Sequence, residues 1–387
     1  MSARRARPER SATLAQLVAS KEIVVTCGSG GVGKTTTAAA LGTMAADILG
    51  GRVLVLTVDP AKRLANAMGL EAFGNVETKV ASSSRGELWA AMLDTKASWD
   101  DLVRRHAPDA RTRDAILANP LYQNVTGRFV QSHDYIAMER LYDLHSSGEW
   151  DLIVVDTPPT RNALDFLEAP ERMAEFFSSR LLRWLLVPYR SRLLTAASKP
   201  FYQIADRILG SAFLQDIAEF FLLFQSMYDG FVERARAVER VLEDRRTTFV
   251  VVSTLEHAPV REAEFFIDAL ADRGLHLGAL VLNKVLPEEL LDPAAGAVAR
   301  RLCEDPGPVA ASLADLGEPD LGEPEAVGRV LAEVGQSFLN FSVAAAREAA
   351  ARAELGVAPD VVATVPYFDT DIVDLDGLRQ IGQRLWN

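Results

Sequence analysis

Residues 22–35 read Glu-Ile-Val-Val-Thr-Cys-Gly-Ser-Gly-Gly-Val-Gly-Lys-Thr, an apolar, β-branched run that opens into a glycine-rich loop. From Gly28 to Thr35 the spacing is G-x-x-x-x-G-K-T. Glycines are needed there because backbone N–H groups must turn inward around phosphate oxygens, in conformations where a Cβ would clash. Lys34 offers a charge to the terminal phosphates, and the Thr35 hydroxyl offers a ligand to Mg²⁺. Gly28, Gly30 and Gly33 also satisfy the dinucleotide pattern G-x-G-x-x-G, with Asp59 after the run 53–58 available for a ribose. Lys34-Thr35 favours the triphosphate, since neither residue has a role in a dinucleotide loop.

Residues 150–155 form a second buried-strand pattern that ends at Asp156 and is followed by Thr157-Pro158-Pro159-Thr160. A carboxylate at the carboxyl end of a parallel strand sits beside a phosphate loop and can hold a Mg²⁺-bound water. The plainer alternative is an Asp that caps the next helix.

The chain has 387 residues, of which 49% are hydrophobic and 24% charged, enough for a large core with an inserted subdomain. Its net charge of −12 opposes nucleic-acid binding, which rewards clustered Lys and Arg. Arg4 to Arg10 form a short basic stretch with no apolar segment behind it, so it reads as a solvated tail and not a secretory signal. Contact with acidic lipid at the inner membrane, or with a partner, is its sharper reading. Two cysteines, Cys27 and Cys303, lie far apart without C-x-x-C spacing and encode neither a disulfide framework nor a zinc knuckle. The expected compartment is a reducing cytosol, and Cys27 reads as a small buried residue.

Apolar runs at 22–26, 53–58, 88–93, 152–155, 248–253, 277–282 and 361–365 each end near a polar or turn residue. Hydrophobicity that does not alternate implies burial on both faces, and so an α/β fold with a mainly parallel sheet covered by helices on each side. The stretch 35–48 reads as a helix whose N-terminus faces the bound anion. Segments 95–148 and 170–246 break the alternation and predict an inserted helical subdomain. The nucleotide-binding core is expected in 20–94, 149–169 and 247–387.

Within the second insertion, Phe177, Leu181, Trp184 and Leu185 share one helical face, and Phe213, Ile217, Phe220, Phe224, Met227 and Phe231 another. These stripes pack on each other or across a dimer, or else form a groove for an apolar client helix. No uncharged run reaches the roughly 18 residues of a membrane span. The Gly/Pro/Glu-rich stretch 305–324 reads as an exposed connection.

Gly30-Gly31-Val32-Gly33-Lys34-Thr35, Asp59-Pro60-Ala61, Asp156-Thr157-Pro158-Pro159-Thr160 and Asn283, in this order along the chain, resemble the arsenite-pump ATPases and the related tail-anchored-protein targeting ATPases. The likeness is to a bacterial single-half member. It implies a P-loop NTPase of the deviant Walker class that works as a dimer closing around ATP and Mg²⁺. Gly30 to Thr36 become the phosphate cradle, with Gly31, Val32, Gly33 and Lys34 inside it and Thr36 at its end. Thr35 and Asp156 become the Mg²⁺ residues. The resemblance makes Asp59 and Lys34 catalytic, with Asp59 orienting or deprotonating the attacking water. Asn283 would pair with adenine, and the loop from Pro366 to Asp369 would lie beside it.

Three departures from the family pattern stand out. Ser29 occupies the position of a signature lysine that reaches across the dimer. Pro159-Thr160-Arg161-Asn162-Ala163 lacks the glycine of the second switch, and the cysteines for a metalloid or shared zinc site are missing. The reading that follows is an ATPase coupling Mg-ATP turnover to a helical client-binding or partner-binding region. Ser29 adds a preference for a heterodimer with a paralogue that retains the lysine over a homodimer. The alternatives are the energising subunit of an anion pump, or a weakly active regulatory partner. A partitioning ATPase is opposed by the acidic charge and by Ser29.

Overall fold

The computed structural model describes residues 13–58, 63–70, 74–125, 130–158, 168–169, 172, 175, 220–223, 227–314, 323–356 and 359–386. Asp59, Lys62, residues 159–163, the Arg4–Arg10 tail, the stripe from Phe177 to Leu185, and Phe213, Ile217 and Phe224 lie outside these residues.

The strands are β1 (Ile23–Cys27), β2 (Gly51–Thr57), β3 (Thr78–Ser82), β4 (Gly86–Met92), β5 (Leu152–Asp156), β6 (Thr247–Ser253), β7 (Leu277–Val285) and β8 (Val361–Pro366). They make one sheet in the order β3-β4-β2-β5-β1-β6-β7-β8. All neighbours pair in parallel except β3, which runs antiparallel to β4 at the edge. The expected parallel α/β architecture is therefore present, with one strand the sequence did not announce. β3 is Thr-Lys-Val-Ala-Ser with no fully buried position, so it carries no apolar run to detect.

β1, β5 and β6 are buried at every position, because helices cover both faces of the sheet. Side chains alternate between two cores. Ile23, Val25 and Cys27 of β1 join Leu54, Leu56, Phe249 and Val251 on one side, while Val24 joins Val53, Val55, Val250 and Val252 on the other.

The second core is closed by α2 (Lys34–Met44), whose Lys-Thr-Thr-Thr-Ala-Ala-Ala-Leu-Gly-Thr-Met is built mostly of small residues and is buried nearly all round. A Cβ on Gly42 would strike the side chain of Val55, so this helix lies close against the sheet. A π-helical turn at Ala45–Leu49 completes the helix expected over 35–48.

The first core carries an aromatic helical layer. It includes α4 (Thr95–His106), α7 (Val130–Ser146), α8 (Tyr228–Glu243) and α9 (His257–Asp272), with α5 (Ala110–Ala118) and α6 (Pro120–Val125) between the first two. Trp99 stacks on Tyr135 with ring centroids 5.9 Å apart, and Tyr135 meets Phe231 edge-on at 5.8 Å. Phe220, Met227 and Phe231 of the second predicted stripe are all buried here.

A polar cluster sits inside this layer. Arg234 donates from Nε to both carboxylate oxygens of Glu139 at 3.0 Å, and the Tyr135 hydroxyl donates to Glu139 as well. Burial raises the Glu139 carboxyl above its ordinary range, opposed by Arg234. Close by, His106 has a buried Nε2 without a hydrogen-bond partner. Burial, with Arg234 and Arg105 adding to it, holds its imidazole below the usual value.

The crossover from β7 to β8 is long and helical. A 3₁₀ turn (Glu288–Leu291) leads into α10 (Pro293–Glu304), α11 (Gly307–Ala314) and the 31-residue α12 (Pro324–Glu354). The stretch 305–324, expected as an exposed connection, is mostly exposed over 305–313 but helical at Gly307–Ala314, and 315–322 lie outside the described residues. Gly307–Ala314 is helical, because Gly-Pro-Val-Ala-Ala-Ser-Leu-Ala places proline in the first turn, where its missing N–H costs nothing. The last helix, α13 (Leu375–Trp386), returns onto α2. Among the described residues no helix is long and apolar enough to cross a membrane.

A depressed folded pKa at His106 means stability that is present above the free imidazole value of about 6.5 and lost as pH falls through the folded value. Melting temperature should therefore drop between about pH 7.5 and 5.5, and less so in His106→Gln. Thermal scans giving equal drops for both proteins would remove His106 as the cause.

Candidate nucleotide-binding site

β1 runs out at Cys27 in the centre of the sheet, and the chain turns through Gly28–Gly33 directly into α2. The loop is held from both sides. A Cβ on Gly28 would collide with the backbone carbonyl of Val252 in β6. Gly33 has φ +94°, and a Cβ there would collide with the side-chain amide of Asn283. The N-terminus of α2, with no side-chain cap, faces the loop and favours an anion there.

Lys34 is only 7% exposed, and its Nζ crosses the loop to donate to the Ser29 carbonyl at 3.0 Å. Ser29 is also buried, and its hydroxyl has no hydrogen-bond partner among the described residues. Thr35 and Thr36 follow at the start of α2 and line the adjoining cleft.

Asp156, the last residue of β5, is in register with Thr57 of β2 and Thr26 of β1. Its carboxylate is fully buried, and its Oδ2 accepts from Thr57 Oγ1 at 3.0 Å. On the next residue, the Thr157 hydroxyl donates to the Thr26 carbonyl at 2.8 Å, tying the chain after β5 to β1. The acidic residue predicted at this strand end therefore stands beside the phosphate loop. Cys27 fits the plain reading, since burial pushes its thiol up to about 12 and leaves a small apolar residue.

Asn283 and Lys284 arrive from β7. The pairing of β7 with β8 slips between Leu282 and Val285, a bulge that leaves Lys284 at φ +58°. It is the one non-glycine residue with positive φ among those described. A bulge re-aims the side chains it contains, and both of these turn to the loop. Asn283 Nδ2 donates to the Val32 carbonyl at 2.8 Å, and Lys284 Nζ to the Gly31 carbonyl at 3.3 Å. Val32 itself is buried, and the loop meets its surroundings there through its backbone.

A cleft of about 520 Å³ opens between the loop, the turn at Arg63–Ala67 and the ends of β7 and β8. Gly31, Gly33, Lys34, Asn283 and Pro366 all line it. So do Arg63, Lys284 and Tyr367, which sequence reasoning did not single out. Lys284 follows Asn283 directly, and Tyr367 falls inside the predicted 366–369 loop. For Arg63 no local signal existed. Lys34, Arg63 and Lys284 give this acidic chain a cationic cleft, suited to phosphate.

A parallel sheet whose central strand feeds a G-x-x-x-x-G-K-T loop, beside a strand-end Asp, defines a P-loop nucleoside triphosphatase. Within that class, the sequence pattern of the anion-transporting ATPases matches residues 21–304, and the chain belongs to this family of nucleotide-binding ATPases. It is 27% identical over 259 residues to ATPase GET3 of Malassezia globosa, covering 67% of this chain and 71% of that one. A protein of Aquifex aeolicus, whose name assigns it to an arsenical pump, is 25% identical over 274 residues, 68% of this chain and 80% of its own. An uncharacterized protein of Streptomyces coelicolor is 31% identical over 272 residues, 68% of this chain and 62% of its own. The family match stops before α11, α12, β8 and α13.

Lys284→Gly separates backbone from side chain at the bulge. It relieves a left-handed conformation costing about 1–2 kcal/mol and removes one cation. Unfolding in urea should show stability equal to or above that of the parent, while nucleotide affinity in calorimetry falls about tenfold, the loss of one charged contact. A variant that binds nucleotide unchanged would show that the ammonium does not serve the cleft.

Proposed function

We propose that this chain binds ATP with its phosphates in the loop from Gly30 to Thr36, and that turnover drives a change in the helical segments 95–148 and 170–246. The observation that carries this reading is the convergence of Lys34, Thr35 and the buried Asp156 at one end of the sheet, beside a cationic cleft. The Thr35 hydroxyl and the Asp156 carboxylate are hard oxygen donors that suit Mg²⁺ and would hold it. A bound Mg²⁺ would neutralise phosphate charge.

Phosphoryl transfer needs positioning and charge more than covalent help. Lys34 is pre-placed for this, since its ammonium already lies within the loop. Asp59 is assigned the attacking water. Asn283 and Pro366 line the cleft and are assigned the adenine, with Asn283 dividing its side chain between base and loop.

The working unit is a dimer in the cytoplasm that closes around the nucleotide. Its output is an apolar helical client or a membrane protein, such as the membrane part of an anion pump. Because Phe220, Met227 and Phe231 already pack in the core, a client surface falls to the other Phe and Leu positions of 170–246.

Exchanging Lys34 for Ala removes a charge-assisted phosphate contact of about 1.5–3 kcal/mol, or one to two decades of ATP affinity. Calorimetry finding the affinity unchanged would end the assignment.

Ser29 favours a second reading, an asymmetric pair with a paralogue that carries the lysine. A cation supplied in trans can contribute several decades of rate, and Ser29 is too short and uncharged to do so. Turnover should be low for the chain alone, rise with the partner, and rise in Ser29→Lys without it. Equal turnover in all three preparations would show that the site needs no cation at this position.

A further inference from the structure

The longest of the described helices carries an apolar seam that no described part of the chain covers. α12 packs on α10 and α11 through one side only. A Cβ on Gly335 would lie 2.6 Å from the Ala299 carbonyl of α10, and Gly328 rests against Pro306 and Ala310. Val330, Val334, Ser337, Phe341 and Ala344 lie on a different side, at alternating steps of four and three residues. That is the a/d spacing of a helix built to meet another helix. Val330 is 59% exposed, and Val334 and Phe341 are each 55% exposed.

The flank of this seam states what it meets. Glu333, Asn340 and Arg347 follow each other at seven-residue intervals along one edge, all exposed. Neither Glu333 nor Arg347 makes an ion pair with another described residue. Asn340 accepts only from Gln336 of its own helix, at 3.2 Å.

We propose that α12 pairs antiparallel with α12 of a second copy of this chain, across a two-fold axis at Asn340. In that register Glu333 meets Arg347 of the second copy and Arg347 meets its Glu333, while the two Asn340 amides face each other. The seam interlocks bulky with small, Phe341 against Ser337 and Val334 against Ala344, in both directions. A parallel pairing would instead set Glu333 against Phe338 and Arg347 against Arg352 of the second copy, with no contact of opposite charge. Self-complementarity under a two-fold axis is the property an isologous interface requires, and the pattern supplies it in both charge and volume. At Glu348 the helix meets its own body, where the Glu348 carboxylate accepts from the Leu286 backbone N–H at 3.0 Å. α12 lies past the family match, and the seam uses no residue of the nucleotide cleft, so the contact is independent of closure around ATP.

Sedimentation velocity of the full chain without nucleotide tests the proposal. The parent should be a dimer at micromolar concentration. Glu333→Arg and Arg347→Glu, each creating two like-charge pairs at exposed positions, should raise the dissociation constant about tenfold at low salt. An equimolar mixture of the two variants should recover the dimer, because each then offers what the other lacks. Phe341→Asp should give a monomer with unchanged helical circular dichroism. Asn340→Cys should cross-link two copies on oxidation, which reports the axis without disturbing the seam. A monomeric parent that gives no such cross-link overturns the proposal. So does a dimer indifferent to Phe341→Asp and to both charge changes.

Discussion

A loop that turns its backbone N–H groups inward must turn carbonyls outward, and in a protein interior each outward carbonyl needs a donor. In this molecule the donors for Gly31 and Val32 are Lys284 and Asn283, both presented by one bulge in β7. The bulge is held in turn by β8, where the Tyr367 N–H donates to the Val285 carbonyl at 2.9 Å. Lys34 closes the third side by donating to the Ser29 carbonyl. The shape of the phosphate loop thus depends on the register of two strands far from it in sequence. Gly33 is required at that point as much by Asn283, whose amide fills the space of a Cβ, as by its own φ.

The two faces of the sheet do different work. On the α2 side, small residues let the helix approach until Gly42 meets Val55, which fixes the distance between loop and sheet. On the other side, Trp99, Tyr135, Phe231 and Phe266 build a thick aromatic layer. That layer encloses an Arg234–Glu139 pair, in which loss of either partner would leave a buried charge without compensation. Asp156 is buried at the end of β5, anchored by Thr57.

Charge is distributed by function. The chain as a whole is acidic, with a net charge of −12. Lys34, Arg63 and Lys284 gather at the cleft, while Arg246 is paired with Glu22 and Asp244. Glu333 and Arg347 on α12 are opposite charges on one helix edge, neither of them in an ion pair among the described residues.

The strands of a parallel sheet, though not their order, were legible from the runs at 22–26, 53–58, 152–155 and 248–253, because burial on both faces writes continuous hydrophobicity into the sequence. The phosphate loop was legible because glycine spacing and Gly-Lys-Thr report backbone geometry directly. Asp156 was legible from its place at a strand end. β3 was not, since an exposed edge strand needs no apolar residues, and neither was the helix at Gly307–Ala314, where Gly and Pro read as breakers although proline is tolerated in a first turn. Asn283 was found by position, but its hydrogen bond to Val32 spans 251 residues, and Lys284 was missed beside it. Sequence by itself determined the local elements and their periodicity, which depend on neighbours a few residues away. Only the tertiary structure decided which side chains satisfy the loop, because that follows from strand register and a bulge, and neither leaves a local mark.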